Sequence, residues 1–134
     1  MGSGMEKTNE RQAELLHKDL SYKVVGCAQK VHRVLGPGFP ESIYQRALCH
    51  ELLLCKIPFD SQKETDVYYE GLLCGQFRMD VLVEGKVILE LKAVDAMTDD
   101  HVSQAISYLK ATGLRLAILM NFGKSRLQTK RVVI

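Results

Sequence analysis

The chain has 134 residues, 46% of them hydrophobic and 25% charged, with a net charge of +2. That length suits one domain with a real core, and no apolar run reaches the ~18 residues that a membrane-spanning helix needs. Cys27, Cys49, Cys55 and Cys74 show neither CxxC nor zinc-finger spacing, so reduced core thiols in a cytoplasmic protein are expected.

In chain order, Met1-Gly-Ser-Gly reads as a tag remnant before a natural start at Met5. Residues 1–19 are expected to form a polar arm ahead of a single domain over residues 20–134. Val24, Val25, Ala28, Val31 and Leu35 recur at helical spacing, with Ser21 or Asp19 as cap and Gly36-Pro37-Gly38 as stop. His32, near that stop, is either a packed helix histidine or a residue lining a site. Pro40 suits the first turn of a second helix, and Glu41 its positive N-terminal end. Ile43, Tyr44, Ala47, Leu48 and the run from Leu52 to Cys55 form its apolar stripe. Glu41 and Tyr44, three apart, project to one side. Phe59 to Lys63 and Thr65 to Tyr69 read as strand, turning at Glu70-Gly71 into Leu72-Leu73-Cys74.

Gln76–Lys92 follows as an apolar hairpin around Glu84-Gly85, interrupted by Asp80, Glu90 and Lys92. Charge inside such strands is costly unless it is paired or binds metal. Glu90 and Lys92, two apart, share a face. A strict two-residue loop pairs Asp80 with Leu89 and sends the two acids to opposite faces. A three-residue turn or a bulge pairs Val83 with Val87 and sets Asp80 opposite Glu90. A two-residue I′ turn also wants φ > 0 at Glu84, where Asn or Asp is preferred, so the second register is favoured. Two carboxylates and an ammonium on one face form either a divalent-cation site with a charge-stabilising lysine or a surface ion-pair trio.

Thr98-Asp99-Asp100 starts a helix ending at Gly113, with Gln104 and Tyr108 on one face. Leu116 to Asn121 reads as a buried strand, parallel to its neighbour because a helix intervenes. Val132 to Ile134 reads as a final edge strand. Residues 1–100 hold 12 Lys/Arg against 16 Asp/Glu, whereas residues 101–134 hold six bases and no acid. That basic third suits a phosphate-backbone binder, and equally a solvated tail.

Asp80 followed by Glu90-Leu91-Lys92 resembles the D…(D/E)xK signature of the PD-(D/E)xK nuclease superfamily, with Met79 where a proline is usual. Gly38-Phe39-Pro40-Glu41-Ser42-Ile43-Tyr44 matches G-x-x-E-x-x-Y, the motif of the GxxExxY protein family. Gln104 to Tyr108 matches the Q-x-x-x-Y helix of helicase-associated superfamily members. The resemblance covers about residues 20–123. It implies an α/β, restriction-endonuclease-like αβββαβ core with a mixed central sheet, here with an extra N-terminal helix. It implies a metal-dependent nuclease acting on nucleic acid, DNA first. Asp80, Glu90, the Leu91 carbonyl and Glu41 would then hold or position Mg²⁺ or Mn²⁺, Lys92 would orient water or stabilise the phosphate, and Gln104 and Tyr108 would support. Lys124, Arg126, Lys130 and Arg131 would bind nucleic acid. A homodimer, a binding module without turnover and a regulatory accessory subunit stay open. An iron–sulfur cluster, present in some Q-x-x-x-Y nucleases, is not expected, because no cysteine follows Cys74.

Overall fold

The computed structural model describes Leu16–Ile134; the expected tag remnant and most of the arm lie outside the described residues. Helix α1 (Lys18–Leu35) buries Ser21, Val24, Cys27, Ala28, Val31 and His32 along one stripe. It starts earlier than its sequence signals imply. His17, at φ 51°, is the N-cap, and neither Asp19 nor Ser21 caps the helix. Ser21 lies inside it, and its hydroxyl accepts a hydrogen bond from Arg131 (2.8 Å). Helix α2 (Glu41–Leu54) buries Tyr44, Leu48 and Leu52, one per turn. Pro40 is its extended N-cap residue and stands just outside the first turn, leaving Glu41 as the first helical residue.

Five strands form one mixed sheet in the order β1-β2-β3-β4-β5. Strand β1 (Phe59–Tyr69) and β2 (Leu72–Val83) make a long antiparallel ribbon turned at Glu70-Gly71. β2 pairs antiparallel with β3 (Val87–Lys92). Helix α3 (Asp99–Thr112) then crosses over to β4 (Leu116–Asn121), which lies parallel to β3. β5 (Gln128–Val133) closes the far edge antiparallel to β4, starting four residues before the expected Val132. The helices α1 and α2 cover one face, packing on Val81, Val83, Leu89, Leu91, Ile118 and Met120. α3 covers the other, over Leu82, Ile88, Ala117 and Leu119. Strand β4 is buried throughout and β3 nearly so, as expected for central strands covered on both faces.

The outer half of the β1–β2 ribbon stands clear of the helices, with Tyr68, Tyr69, Leu72 and Leu73 exposed at its tip. Of the cysteines, only Cys27 is buried; Cys55 and Cys74 are exposed, so the expected core thiols are not a set. Among the described residues no helix is long and apolar enough to cross a membrane.

Beyond β3 the chain is clasped to the end of β4. The fully buried Asn121 accepts from the Val94 and Gly123 amides (3.0 Å each) and donates to the Val94 carbonyl (3.0 Å) and Gln128 (3.1 Å). A Cβ on Gly123 would lie 2.5 Å from the Val94 carbonyl oxygen and 2.6 Å from its nitrogen. Both are backbone atoms and cannot swing away. Gly123→Ala is therefore expected to cost about 2–3 kcal/mol in urea unfolding. Loss of under half a kcal/mol would mean that the clasp gives.

Candidate active site

The hairpin register sets the site. Val83 pairs with Val87, Leu82 with Ile88 and Val81 with Leu89. Continuing that register sets Asp80 opposite Glu90, as the sequence argument favours. The turn reaches it through left-handed backbone at both Glu84 (φ 51°) and Gly85 (φ 65°), with Lys86 as the extra residue and its amide bonded to the Val83 carbonyl (2.9 Å). The φ > 0 at Glu84 that the sequence disfavours is thus adopted.

At Asp80 the ladders on both sides of β2 lose their regular pairing. The β1–β2 pairing skips from Ser61–Val81 to Lys63–Met79 in unchanged register, and Gln62, opposite Asp80, sits at φ 57°. The β2–β3 pairing stops at Val81–Leu89. Side chains take over where the backbone pairs end. The Leu91 amide donates to Asp80 Oδ2 (2.8 Å), and the Asp80 amide points at Glu90 Oε1 (3.5 Å). The Asp80 carbonyl accepts from Gln45 Nε2 on α2 (3.2 Å). Each carboxylate therefore leans across the strand gap toward the other strand's backbone. Along a strand, a residue's N–H and C=O point to the same side, so the Leu91 carbonyl also faces the gap. Lys92 lies two residues past Glu90, half-buried, with its carbonyl bonded to the Phe122 amide (2.8 Å).

The electrostatics follow from burial and crowding. Glu90 is 4% exposed. Desolvation, and after it the Asp80 charge, push its carboxyl up to about 8. Asp80 is raised as well, by desolvation first, against the lowering pull of the Leu91 amide and Lys92. Glu41, exposed at the N-terminus of α2, raises both acids further, so its charge reaches the site. Tyr108 comes from the opposite side, on α3, stacked on Phe77 with ring centroids 4.1 Å apart. Its hydroxyl is raised by burial and then by Glu90 and Asp80. Gln104 lies one turn earlier on α3 and is exposed. Among the described residues, no three His, Cys, Asp or Glu side chains converge closely enough to hold one ion. Asp80 and Glu90 form the close pair, and Glu41 stands further off.

The model of the PD-(D/E)XK nuclease superfamily matches residues 18–132. The chain belongs to that superfamily. Its mixed five-stranded sheet with three helices is the α/β, restriction-endonuclease-like architecture. The solved "Crystal structure of SSO0001" is similar in fold, with a TM-score of 0.57 and 19% identity. The match covers 69% of this chain and 50% of that one, so the chain spans about half the length of that structure. No curated protein matches the chain.

Within the PD-(D/E)XK frame, two residues take roles that the sequence leaves open. Tyr44 packs in the core, stacked on Phe122 with centroids 4.7 Å apart. Its hydroxyl donates to the Gly36 carbonyl (2.5 Å) and accepts from the Phe39 amide (3.2 Å), so it pins the loop leading to Glu41 and binds neither acid. His32 does not line the site; its Nε2 donates to the Lys124 carbonyl (2.7 Å). Gln45 was missed. Its sequence signal is its position four after Glu41, on the same helix face. The basic residues divide. Lys124 and Arg126 are exposed in the β4–β5 loop and Lys130 is exposed on β5. Arg131, on the opposite face of β5 from Lys130, donates to Ser21 Oγ (2.8 Å) and the Leu16 carbonyl (2.7 Å), tying the sheet edge to the start of α1.

Proposed function

We propose that this superfamily member is a divalent-metal-dependent nuclease that hydrolyses phosphodiester bonds of nucleic acid, DNA first, and that its Gly38–Tyr44 segment places it among the GxxExxY proteins. The observation that carries this reading is the crossed pair, with Asp80 and Glu90 leaning into an opened strand gap beside Lys92. A cation fits there. The donors are hard oxygens, namely two carboxylates and the Leu91 carbonyl, and Mg²⁺ is held by one or two carboxylates with the rest of its shell as water. Burial first, and carboxylate charge after it, raise both acids, and a divalent charge would offset both. A bound Mg²⁺ or Mn²⁺ supplies neutralisation of phosphate charge and a more acidic water.

The chain's own groups do the rest. The Lys92 ammonium, on the face of Glu90, sits where charge grows on the phosphate and stabilises it. Glu41 orients the attacking water through its first-turn position, held by the Tyr44-pinned loop. Gln45 fixes the Asp80 backbone. Tyr108 bounds the site from α3 and meets the substrate, with Gln104 beside it. Incubation of the native chain with plasmid, linear and single-stranded DNA and with RNA, in Mg²⁺, Mn²⁺ or EDTA, tests the reading. Cleavage that EDTA and Asp80→Ala both abolish is expected. Binding without cleavage in every metal would leave a nucleic-acid-binding module in its place.

Of the four cations expected to bind nucleic acid, Lys124, Arg126 and Lys130 are exposed and available to a phosphate backbone. Neutralising all three is expected to weaken DNA binding and flatten its salt dependence by about two to three released counterions. An unchanged slope would move the binding surface elsewhere. Arg131→Ala is expected to act differently, lowering stability through its lost α1 contacts.

A further inference from the structure

Beyond the nuclease site, the far end of α2 carries chemistry that hydrolysis does not use. Cys27, buried in the middle of α1, donates its thiol to the sulfur of Cys55, the C-cap residue of α2, at 3.8 Å. Cys55 is exposed. The two flank a surface cavity of about 510 Å³ that is also lined by Lys23, Lys30 and Glu51. Lys30 pairs with Glu51 at 3.1 Å, leaving Lys23 to give the rim its net positive charge. Asp80 and Glu90 lie toward the other end of α2, whose 14 residues separate Glu41 from Cys55 by roughly 20 Å.

We propose that Cys27 and Cys55 form a reversible thiol–disulfide site that takes an anionic small-molecule disulfide of the glutathione type as oxidant. The two sulfurs are already in contact at 3.8 Å, so closing the bond needs an approach of roughly 2 Å. They belong to different helices, so closure staples α1 to α2. The roles follow from exposure. Cys55, open to the cavity, attacks one sulfur of the oxidant as thiolate, forming a mixed disulfide and releasing one glutathione thiolate. Cys27 then loses its proton to water and attacks the Cys55 sulfur, releasing the second glutathione. Two protein thiols are oxidised to one disulfide, and one glutathione disulfide is reduced to two thiols. Burial first, and then the hydrogen bond to Cys55, push Cys27 up to about 11. It therefore keeps its proton until the mixed disulfide is in place, which assigns it the second step. The Lys23 ammonium favours an anionic oxidant over a neutral one.

The test uses the whole chain, equilibrated in glutathione redox buffers, acid-quenched, alkylated and mapped by peptide mass. The expected product is a Cys27–Cys55 cross-linked peptide lighter by two hydrogens, with a melting temperature raised on the order of 10 °C. Dithiothreitol should reverse both. Cys27→Ser should stop the reaction at glutathione on Cys55, and Cys55→Ser should leave Cys27 unmodified. Nuclease activity should be the same in these variants as in the native chain, so a failure of the nuclease reading and of this one are told apart. A native chain whose Cys55 carries glutathione that never resolves onto Cys27 would overturn the proposal. So would bridging to Cys49 or Cys74 instead.

Discussion

Single-turnover cleavage by Lys92→Met is expected to fall by something like 10²–10³-fold, the scale for losing one preorganised charge at a transition state. The reason is positional. Lys92 shares a strand face with Glu90, and its charge is felt at both acids, lowering the proton affinity of each. It forms no ion pair within 4.0 Å among the described residues, so its loss breaks no structural bridge. Folding should survive the substitution, and the affinity for Mn²⁺ should hold or rise, because a nearby positive charge has been removed. A structural lysine gives the opposite pattern, with a lower melting temperature and turnover reduced only in proportion. The measurement is rapid-quench cleavage beside calorimetric metal titration and thermal melting of the same preparation. A folded, metal-binding Lys92→Met chain that cuts at the native rate refutes the role.

The second large effect is on stability. In the unfolded chain the Glu90 carboxyl titrates near 4.5; in the fold it is pushed up to about 8 by burial and by Asp80. The folded state therefore holds its proton more tightly than the unfolded state does. The contribution to stability is fully present below about 4.5 and is lost progressively as pH rises through about 8. Asp80, shifted in the same direction, titrates with it as a pair. Glu90→Gln fixes the neutral form. At pH 8 in EDTA it is expected to stabilise the metal-free protein by on the order of 3–4 kcal/mol, with the gain shrinking toward zero at pH 4.5. Cleavage should be lost. Added Mg²⁺ at pH 8 should raise the melting temperature of the native chain well above any rise in Glu90→Gln. A stability difference that does not change with pH would show that Glu90 is solvated as an ordinary carboxylate.

How much of this was legible in the sequence depended on whether the signal was local. The α1 stripe, the crossover before β4 and the caps of α3 are written in short-range patterns, and the structure follows them; of the expected α2 stripe Tyr44, Leu48 and Leu52 are buried, whereas Ile43, Leu53, Leu54 and Cys55 are exposed. Thr98 is the N-cap of α3, with the Thr98 amide donating to His101 Nδ1 (3.0 Å), and Gly113 ends the helix at φ 74°. The hairpin register favoured from the sequence is the one the structure adopts, although β3 is buried on both faces, so its apolar pattern alone does not fix which face each residue takes. Glu84 does not discriminate between the registers, since the turn tolerates a glutamate at positive φ, where Asn or Asp would be easier. What could not be read was long-range pairing. Arg131 finds Ser21 across 110 residues of chain, and nothing nearby in sequence separates it from Lys130. Gln45 reaches the Asp80 carbonyl across 35 residues of chain, at a point where the regular strand pairing lapses, and that lapse leaves no periodic trace. Tyr44 and His32 each had two readings, and the loops they hold decided both.

The Leu91 amide, held by the Asp80 carboxylate at 2.8 Å where a strand carbonyl would ordinarily stand, gives the site its own spectroscopic signal. A proton hydrogen-bonded to a charged oxygen resonates far downfield, and its position follows the electron density on that oxygen. In a ¹⁵N–¹H spectrum this one cross-peak should move upfield as a cation draws on Asp80, and upfield again when acid protonates it. Amides of the regular ladder at Val81 and Leu89, one step away, should barely respond. Occupancy of the site can thus be followed residue by residue without substrate and without cleavage.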